Sequence, residues 1–191
     1  MRIQIVNGNI LDSTDDAIIL TIDGAARGME GNLTTCFARK YSELWEDMEQ
    51  EISFPLSLGQ VQAVKIPAGW GCPHRFALIA STLHHKDVLF DEEKMKVIKR
   101  ALSRALSLAT QKGCITVAAT VLTGGWRVPL LSAFESMIDV FQRFQLVNTI
   151  PLNVTIYVIN ESEYLDIQEY LDQNQSYLGT FGSEVHIESH S

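Results

Sequence analysis

Residues 121–129, with the sequence VLTGGWRVP, place two adjacent glycines beside a tryptophan and an arginine. They follow an apolar run, CITVAAT (114–120), and precede LLSAFESMIDVFQRF (130–144), whose periodicity predicts an amphipathic helix. Glycines after a buried strand let a ligand approach the main chain, and the first turn of a helix offers unpaired N–H groups to an anion. The stretch therefore predicts an anion site, with an ordinary strand-to-helix turn as the alternative.

A second glycine-bearing loop, DGAARGMEGN (23–32), follows another apolar run, DAIILTI (16–22). Because ligands of open α/β sheets bind outside the carboxyl ends of the strands, we expect the two loops to converge on one crevice. Asp23 and Glu30 are the carboxylates of this loop and the candidate acid–base residues. Asp23 beside Gly24 is also typical of a turn, and a loop glutamate is usually solvated, so both alternatives stay open.

The cysteines and histidines give no pattern typical of a metal site, and no metal or cofactor is expected. The three cysteines, Cys36, Cys72 and Cys114, are widely spaced without a CxxC pair, which fits a reducing compartment. Cys36 near a helix N-terminus is a conceivable nucleophile, but a buried core cysteine is the expectation. Loop and surface positions are expected for the central histidines: His74, His84 and His85.

The composition is that of an ordinary globular domain. The chain has 191 residues, 46% of them hydrophobic and 20% charged, which is enough to bury one core. Its formal net charge of −8 argues against broad binding of a nucleic-acid backbone, which requires a basic surface. No apolar run approaches the roughly 18 residues of a membrane span, and no signal peptide is evident. We therefore expect a cytoplasmic protein without a membrane partner.

Strand and helix patterns alternate along the chain. Strands are predicted at 2–8, 16–22, 60–66, 75–82, 114–120 and 153–159, and helices at 33–50, 91–112, 129–144 and 161–173. One hairpin joins the third and fourth strands, and from the second strand onward the strands otherwise alternate with helices, which indicates a mostly parallel sheet with helices on both faces. The predicted fold class is α/β, with three α/β/α layers around a mixed sheet of about six strands.

The chain divides into a folded part and a tail. Residues 1–173 carry the alternating pattern and are predicted to form one domain. Residues 174–191 are polar and aperiodic, which is typical of a C-terminal tail or frayed end.

These motifs, in this order, resemble the macro domain, the fold best known for binding ADP-ribose and for removing it from proteins and nucleic acids. The family's opening strand, its Gly-Asp-Ile motif and its Asp-Ala-Ile-Val strand are similar to IVNGNILDSTDDAII (5–19). Its second phosphate loop, commonly Ser-Thr-Gly-Ile-Tyr-Gly-Phe-Pro, aligns without gaps to LTGGWRVP (122–129), and GMEGNLTTCFARKY (28–41) resembles its Gly-rich loop and first helix. The resemblance spans residues 2–171 and implies the three-layer fold predicted above.

The resemblance implies that one loop wraps the diphosphate of the ligand with its N–H groups. That loop consists of Thr123, Gly124, Gly125, Trp126 and Arg127. Trp126 stands where an aromatic residue covers the distal ribose, with a packing role as the alternative. Arg127 replaces the usual glycine and either contacts phosphate or is solvated.

The resemblance also implies ligand contacts after the first two strands, from Asn9, Ile10, Asp23, Gly24 and Gly31. Asn9 stands where the family usually has an aspartate that accepts a hydrogen bond from adenine. Because its amide also donates, the base that it selects is open. Asp23 replaces an asparagine that holds the distal ribose and supports catalysis in the family. Its charge opposes a nearby diphosphate unless it is paired.

The catalytic groups of the family are not evident. One branch uses an aspartate or histidine in the Gly-rich loop and first helix, and another uses a lysine whose position is held here by Ala38. Asp23 and Glu30 remain the candidates, so hydrolysis is expected to be weak or absent.

Three functions therefore stay open. The first is a module that binds ADP-ribose or a related nucleotide diphosphate, free or attached to protein or nucleic acid. The second is a hydrolase of ADP-ribosyl or nucleotide-phosphate groups. The third is a ligand-free scaffold for protein interaction. The glycines at 124 and 125 favour the first two, and the missing asparagine and lysine favour binding over hydrolysis.

Overall fold

The computed structural model describes residues 1–28, 30–123 and 128–174 and the backbone of residues 184–188. These residues form β1 (Arg2–Asn7), β2 (Ala17–Asp23), α1 (Asn32–Lys40), α2 (Ser42–Glu51), β3 (Val61–Lys65), β4 (Phe76–Leu83), α3 (Asp91–Gln111), β5 (Thr116–Thr120), α4 (Leu130–Val147), β6 (Asn153–Val158), α5 (Glu161–Gln173) and β7 (Glu184–Glu188). None of the helices in these ranges is long and apolar enough to cross a membrane.

The strands form one mixed sheet in the order β3-β4-β2-β5-β6-β1-β7. Only the β3–β4 pair is antiparallel among the described pairs, and the others are parallel. The predicted α/β class and the mostly parallel sheet are confirmed. The two apolar runs at 16–22 and 114–120 form β2 and β5, which lie in the interior of the sheet as predicted. Their uninterrupted apolar character follows from burial on both faces.

Helices cover both faces of the sheet, and two hydrophobic clusters fill the space beneath them. One cluster joins the sheet to α3, α4 and α5, and the other joins it to α1 and α2. Alternate residues of β2 pack into the two clusters, because successive side chains of a strand point to opposite faces. Ile19 faces the first cluster and Ile18 the second, and both are fully buried.

The helix predicted at 33–50 is two helices, so that prediction is wrong in one respect. Tyr41 ends α1 with φ −131° and ψ 58°, and α2 begins at the next residue. The break is not visible in the periodicity because apolar side chains on both sides of it pack together. The Phe37 ring centroid lies 5.0 Å from that of Tyr41 and 6.4 Å from that of Trp45.

The expectation of an aperiodic tail is wrong over residues 184–188. These residues form β7, which pairs in parallel with β1, Arg2 opposite Glu184 and Val6 opposite Glu188. The sequence EVHIE alternates polar and apolar residues, which is the period of a strand with one buried face. The division into a domain of residues 1–173 and a separate tail stays a prediction.

Candidate functional site

A cavity of about 500 Å³ opens at the carboxyl ends of β2, β4 and β5, beside the first turn of α1. Its described lining consists of Thr21, Ile22, Asp23, Glu30, Gly31, Asn32, Leu33, Thr82, Leu83, His85, Thr120, Val121, Leu122 and Thr123. Residues of both glycine-bearing loops therefore meet at one crevice. We call this the main cavity.

The first turn of α1 is held close to β2 by Gly31 and Thr34. Gly31 N donates to Thr21 O at 3.2 Å, and Thr34 Oγ1 donates to the same oxygen at 2.7 Å. A β-carbon at residue 31 would lie 2.9 Å from Thr21 O, which is too close for a real side chain. Glycine is therefore required for this approach, which brings the N-terminus of α1 to the wall of the main cavity.

Asp23 and His85 form a hydrogen-bonded pair in this wall. Asp23 Oδ2 accepts from His85 N at 2.7 Å and lies 3.0 Å from His85 Nδ1. Asp23 Oδ1 accepts from Ala25 N at 2.9 Å, a bond typical of a turn initiated by aspartate. The Asp23 side chain is 4% exposed and that of His85 is 36% exposed. Asp23 is thus both the turn residue and a cavity residue, and its charge faces a histidine.

Glu30 also lies on the wall of the main cavity, between β2 and α2. Its Oε1 accepts from the indole Nε1 of Trp45 at 3.2 Å, and its backbone forms an isolated antiparallel bridge with Ile22. Trp45 itself is buried, so the hydrogen bond satisfies an indole N–H that has little access to water. One oxygen of Glu30 therefore has a structural role, as the acceptor for the Trp45 indole.

Gly24 lies behind the main cavity and is not among its lining residues. Its N donates to Leu83 O at 2.9 Å, and its O accepts from Leu56 N at 2.8 Å. A β-carbon at residue 24 would collide with Ser81 Oγ and Leu56 O. The small size of Gly24 thus serves the packing of β2 against β4.

Asn9 and Ile10 lie at the end of β1, away from the main cavity. Asn9 Oδ1 accepts from Leu11 N at 3.1 Å and caps a short 3-10 turn at residues 10–12. Asn9 is exposed and Ile10 is buried. Lys40, the lysine of α1, donates to Leu11 O at 2.7 Å and to Asp12 Oδ1 at 3.1 Å. This lysine therefore fixes the turn and is not a cavity residue.

A smaller cavity of about 290 Å³ adjoins the main cavity on the β6 side. Thr120, Val121 and Thr123 line both cavities. The remaining lining of the smaller cavity is Val128, Leu130, Tyr157, Val158, Ile159 and Glu163. The two cavities thus flank the end of β5.

The predicted ligand residues Gly124, Gly125, Trp126 and Arg127 lie outside the described residues. Thr123 and Val128, on either side of them, line one or both cavities. The roles assigned to residues 124–127 stay predictions.

Two other expectations about polar side chains are wrong. Cys36 is exposed on α1, because its position falls on the solvent side of the stripe that carries Phe37. His74 is buried, and its Nδ1 lies 2.8 Å from Asp15 O. Burial lowers the pKa of His74, although the contact with Asp15 opposes this change. Within the described ranges, no three His, Cys, Asp or Glu side chains are grouped so that they could hold a metal ion.

His85 is the cavity residue that sequence reasoning missed. It is exposed, as expected for a surface histidine, and it also follows β4 at the sheet edge where the other loops meet. The useful signal was its position directly after an apolar strand of a parallel sheet. The contact with Asp23 depends on β4 pairing with β2, which brings together residues 62 positions apart.

Comparison with known proteins identifies the fold. No protein-family profile and no curated protein matches the sequence. Solved structures do match. A mutant of the Oceanobacillus iheyensis macrodomain gives a TM-score of 0.75 at 19% identity, covering 91% of this chain and 92% of that chain.

Two further macrodomains have the same arrangement. That of Trypanosoma brucei, solved in complex with ADP-ribose, gives a TM-score of 0.73 at 18% identity, covering 89% of this chain and 69% of that chain. The macrodomain of Thermus aquaticus DarG gives a TM-score of 0.61 at 14% identity, covering 82% of this chain and 97% of that chain. The chain thus has the macrodomain fold that its motifs implied.

Proposed function

We propose that the chain is a module that binds ADP-ribose or a related nucleotide diphosphate. The observation that carries this proposal is the main cavity, where two glycine-bearing loops and the first turn of α1 meet at the carboxyl ends of three strands. The macrodomain fold supports it, because a structure with this fold was solved in complex with ADP-ribose. Ligands of open α/β sheets bind at this edge.

The wall formed by α1 suits the anionic part of such a ligand. The first N–H groups of a helix have no partner within the helix and carry the positive end of its dipole. Gly31, Asn32 and Leu33 present this end of α1 to the main cavity. Asp23 accepts hydrogen bonds from Ala25 N, His85 N and the His85 ring, so it is paired, as required of an aspartate near a diphosphate.

The smaller cavity suits the base of the nucleotide. Val128, Leu130 and Ile159 give it an apolar wall, and Ile159 is exposed there. We infer that the nucleotide extends from the main cavity past Thr123 to this wall. Its diphosphate then lies beside residues 124–127, where the resemblance assigns it.

Calorimetric titration with ADP-ribose tests the proposal. Gly124→Glu and Gly125→Glu each place bulk and negative charge in the predicted diphosphate loop. Affinity should fall at least tenfold, which is about 1.4 kcal/mol. Gln111→Glu is the matched control, because it adds the same side chain at the exposed end of α3, at the opposite end of β5 from the main cavity.

Two outcomes would contradict the proposal. Equal losses in the control and the loop variants would remove the loop from the site. No heat and no thermal stabilisation with ADP-ribose, ADP or UDP-glucose at millimolar concentration would favour the ligand-free scaffold. A hydrolase is the second candidate function, and the contact between Asp23 and His85 favours it.

A further inference from the structure

We propose that His85 is the general base of the main cavity and that Asp23 positions it. In this reaction His85 removes a proton from a water molecule that attacks the ribose end of the bound nucleotide. The inference rests on the proposed function, because the nucleotide must first be held in the main cavity. The sequence offered no acid–base group in the first helix, whereas this one comes from the loop after β4.

The hydrogen bonds of Asp23 fix the protonation pattern of the imidazole ring. A carboxylate only accepts, so the 3.0 Å contact requires the proton of His85 on Nδ1. The lone pair of the neutral ring then lies on Nε2, which has no hydrogen-bond partner among the described residues. A base that is oriented by a buried carboxylate is the arrangement that activates nucleophiles in many hydrolases.

The turn itself does not explain the contact with the ring. Asp23 already accepts from two main-chain N–H groups, those of Ala25 and His85. The bond from Ala25 N closes the turn after β2, and the bond from His85 N connects the ends of β2 and β4, whatever side chain stands at residue 85. The bond to Nδ1 is additional, and its evident effect is to fix the orientation of an exposed ring at the cavity wall.

The neighbouring histidines lack this combination of features. His84 Nε2 lies 2.7 Å from Leu56 O, and its Nδ1 lies 3.2 Å from Asp87 Oδ2, so both of its nitrogens have protein partners. His74 is 3% exposed and contacts Asp15 O. His85 combines cavity exposure, a buried carboxylate partner and an available nitrogen.

A site with one base and no assigned proton donor restricts which linkages to the ribose it can hydrolyse. Glu30 is the other carboxylate of the described lining; its Oε1 accepts from Trp45, and we assign it no role as a proton donor. The leaving group must then depart without taking a proton. An ester between the anomeric carbon of the ribose and a carboxylate, as in an ADP-ribosylated glutamate, meets this condition and serves as the test substrate.

The step balances without another reactant. The water oxygen forms a bond to the anomeric carbon, and the bond from that carbon to the carboxylate oxygen breaks. The electron pair of the broken bond leaves with the carboxylate. One proton of the water goes to His85 Nε2 and is later released to solvent.

The test compares ADP-ribosyl peptides linked through glutamate and through serine. The wild type should release ADP-ribose with multiple turnovers from the glutamate ester and much more slowly from the serine O-glycoside. In His85→Asn the amide can still donate to Asp23, but the base is lost. Its kcat should fall by about 10² to 10⁴, while KM and the calorimetric Kd for ADP-ribose change little.

Three more variants separate catalysis from folding. His84→Gln is the matched control and should keep kcat. Asp23→Asn should lower kcat, because its amide can orient the ring in the wrong tautomer. His85→Ala should regain activity when imidazole is added, since the free base can occupy the vacated space. A purely structural role for His85 would not give this rescue.

Each failure has a distinct meaning. A wild type that binds ADP-ribose without turnover on the glutamate ester overturns this inference and leaves the binding proposal intact. Absence of both binding and turnover overturns the two together. Full activity in His85→Asn, or a folded His85→Ala that imidazole does not rescue, assigns the base to another residue.

Discussion

Gly31 and Thr21 approach more closely than any side chain at residue 31 would permit, since a β-carbon there would lie 2.9 Å from Thr21 O. Thr21 O also accepts from Thr34 Oγ1 at 2.7 Å. One carbonyl of β2 thus fixes the start of α1 from two directions. The wall of the main cavity depends on this contact, because Gly31, Asn32 and Leu33 all line it.

Replacing Gly31 with alanine should therefore affect folding and binding together. We expect Gly31→Ala to destabilise the protein by about 1–3 kcal/mol, because the obstacle is a backbone oxygen that cannot rotate away. Affinity for ADP-ribose should also fall, since the first turn of α1 must move. Chemical unfolding and calorimetry measure the two effects. Gly8→Ala is the control, because its β-carbon would meet Val6 at an ordinary 3.5 Å. Equal stability of the two variants would contradict the role of Gly31.

Gly24→Ala should be more damaging than Gly31→Ala. Its β-carbon would collide with both Ser81 Oγ and Leu56 O where β2 packs on β4. We expect a melting temperature lower by roughly 4–12 °C, which corresponds to about 2–3 kcal/mol in a chain of this size. Adding Ser81→Gly should restore only part of the loss, because the Leu56 carbonyl remains. Full restoration would show that Leu56 O is no obstacle.

Much of the fold was predictable because burial in the tertiary structure determines which residues along a strand or helix are apolar. The buried runs that became β2 and β5 are apolar on both faces, and only interior strands require this. The break at Tyr41 was not predictable, since Phe37 and Trp45 continue the apolar stripe across it. β7 was missed because five alternating residues are a weak pattern within a polar segment.

The site was only partly predictable for a different reason. Loops that follow parallel strands can be assigned to one sheet edge. This rule predicted that Asp23, Gly31 and Thr123 lie close together, and all three line the main cavity. The partner of a particular side chain depends on strand order and register, which the sequence does not show directly. The contact of Asp23 with His85 follows from the pairing of β2 with β4 and a register shift at Asp23.

Asp16 should make stability depend on pH. Burial raises the pKa of its carboxyl, but hydrogen bonds from Ile115 N and Thr116 N and the Arg75 guanidinium outweigh this and lower the pKa. A pKa that is lower in the folded state adds stability above the unfolded value of about 3.9 and loses it as pH falls through the folded value. Asp16→Asn should therefore be less stable at pH 7, by about 1–3 kcal/mol.

The difference in the free energy of unfolding between wild type and Asp16→Asn should narrow below about pH 4. Urea unfolding at several pH values measures this difference. Asp12→Asn is the control, because Asp12 pairs with Lys40 at the surface and is 72% exposed. Ion pairs at the surface contribute little to the free energy of unfolding. A gap between wild type and Asp16→Asn that is constant with pH would show that the carboxylate charge is not responsible.

The three cysteines should differ in reactivity. Cys36 is exposed, Cys72 is half-buried and Cys114 is buried. Burial raises the pKa of the Cys72 and Cys114 thiols, which lowers their thiolate fraction at neutral pH. Titration of the native protein with Ellman's reagent should show one fast thiol, and Cys36→Ser should remove that phase. A fast phase that persists in Cys36→Ser would place the reactive thiol elsewhere.

Removing residues 175–191 should expose one edge of the sheet. β1 lies between β6 and β7, so truncation leaves half of its main-chain groups facing solvent. We expect a loss of about 2–4 kcal/mol, because each backbone hydrogen bond contributes roughly 0.5–1.5 kcal/mol. Hydrogen exchange should accelerate at alternate amides of residues 2–7, while those that donate to β6 stay protected. Removal of residues 189–191 alone is the control, since it keeps β7. Unchanged stability and exchange after the longer truncation would instead support a domain of residues 1–173 with a dispensable tail.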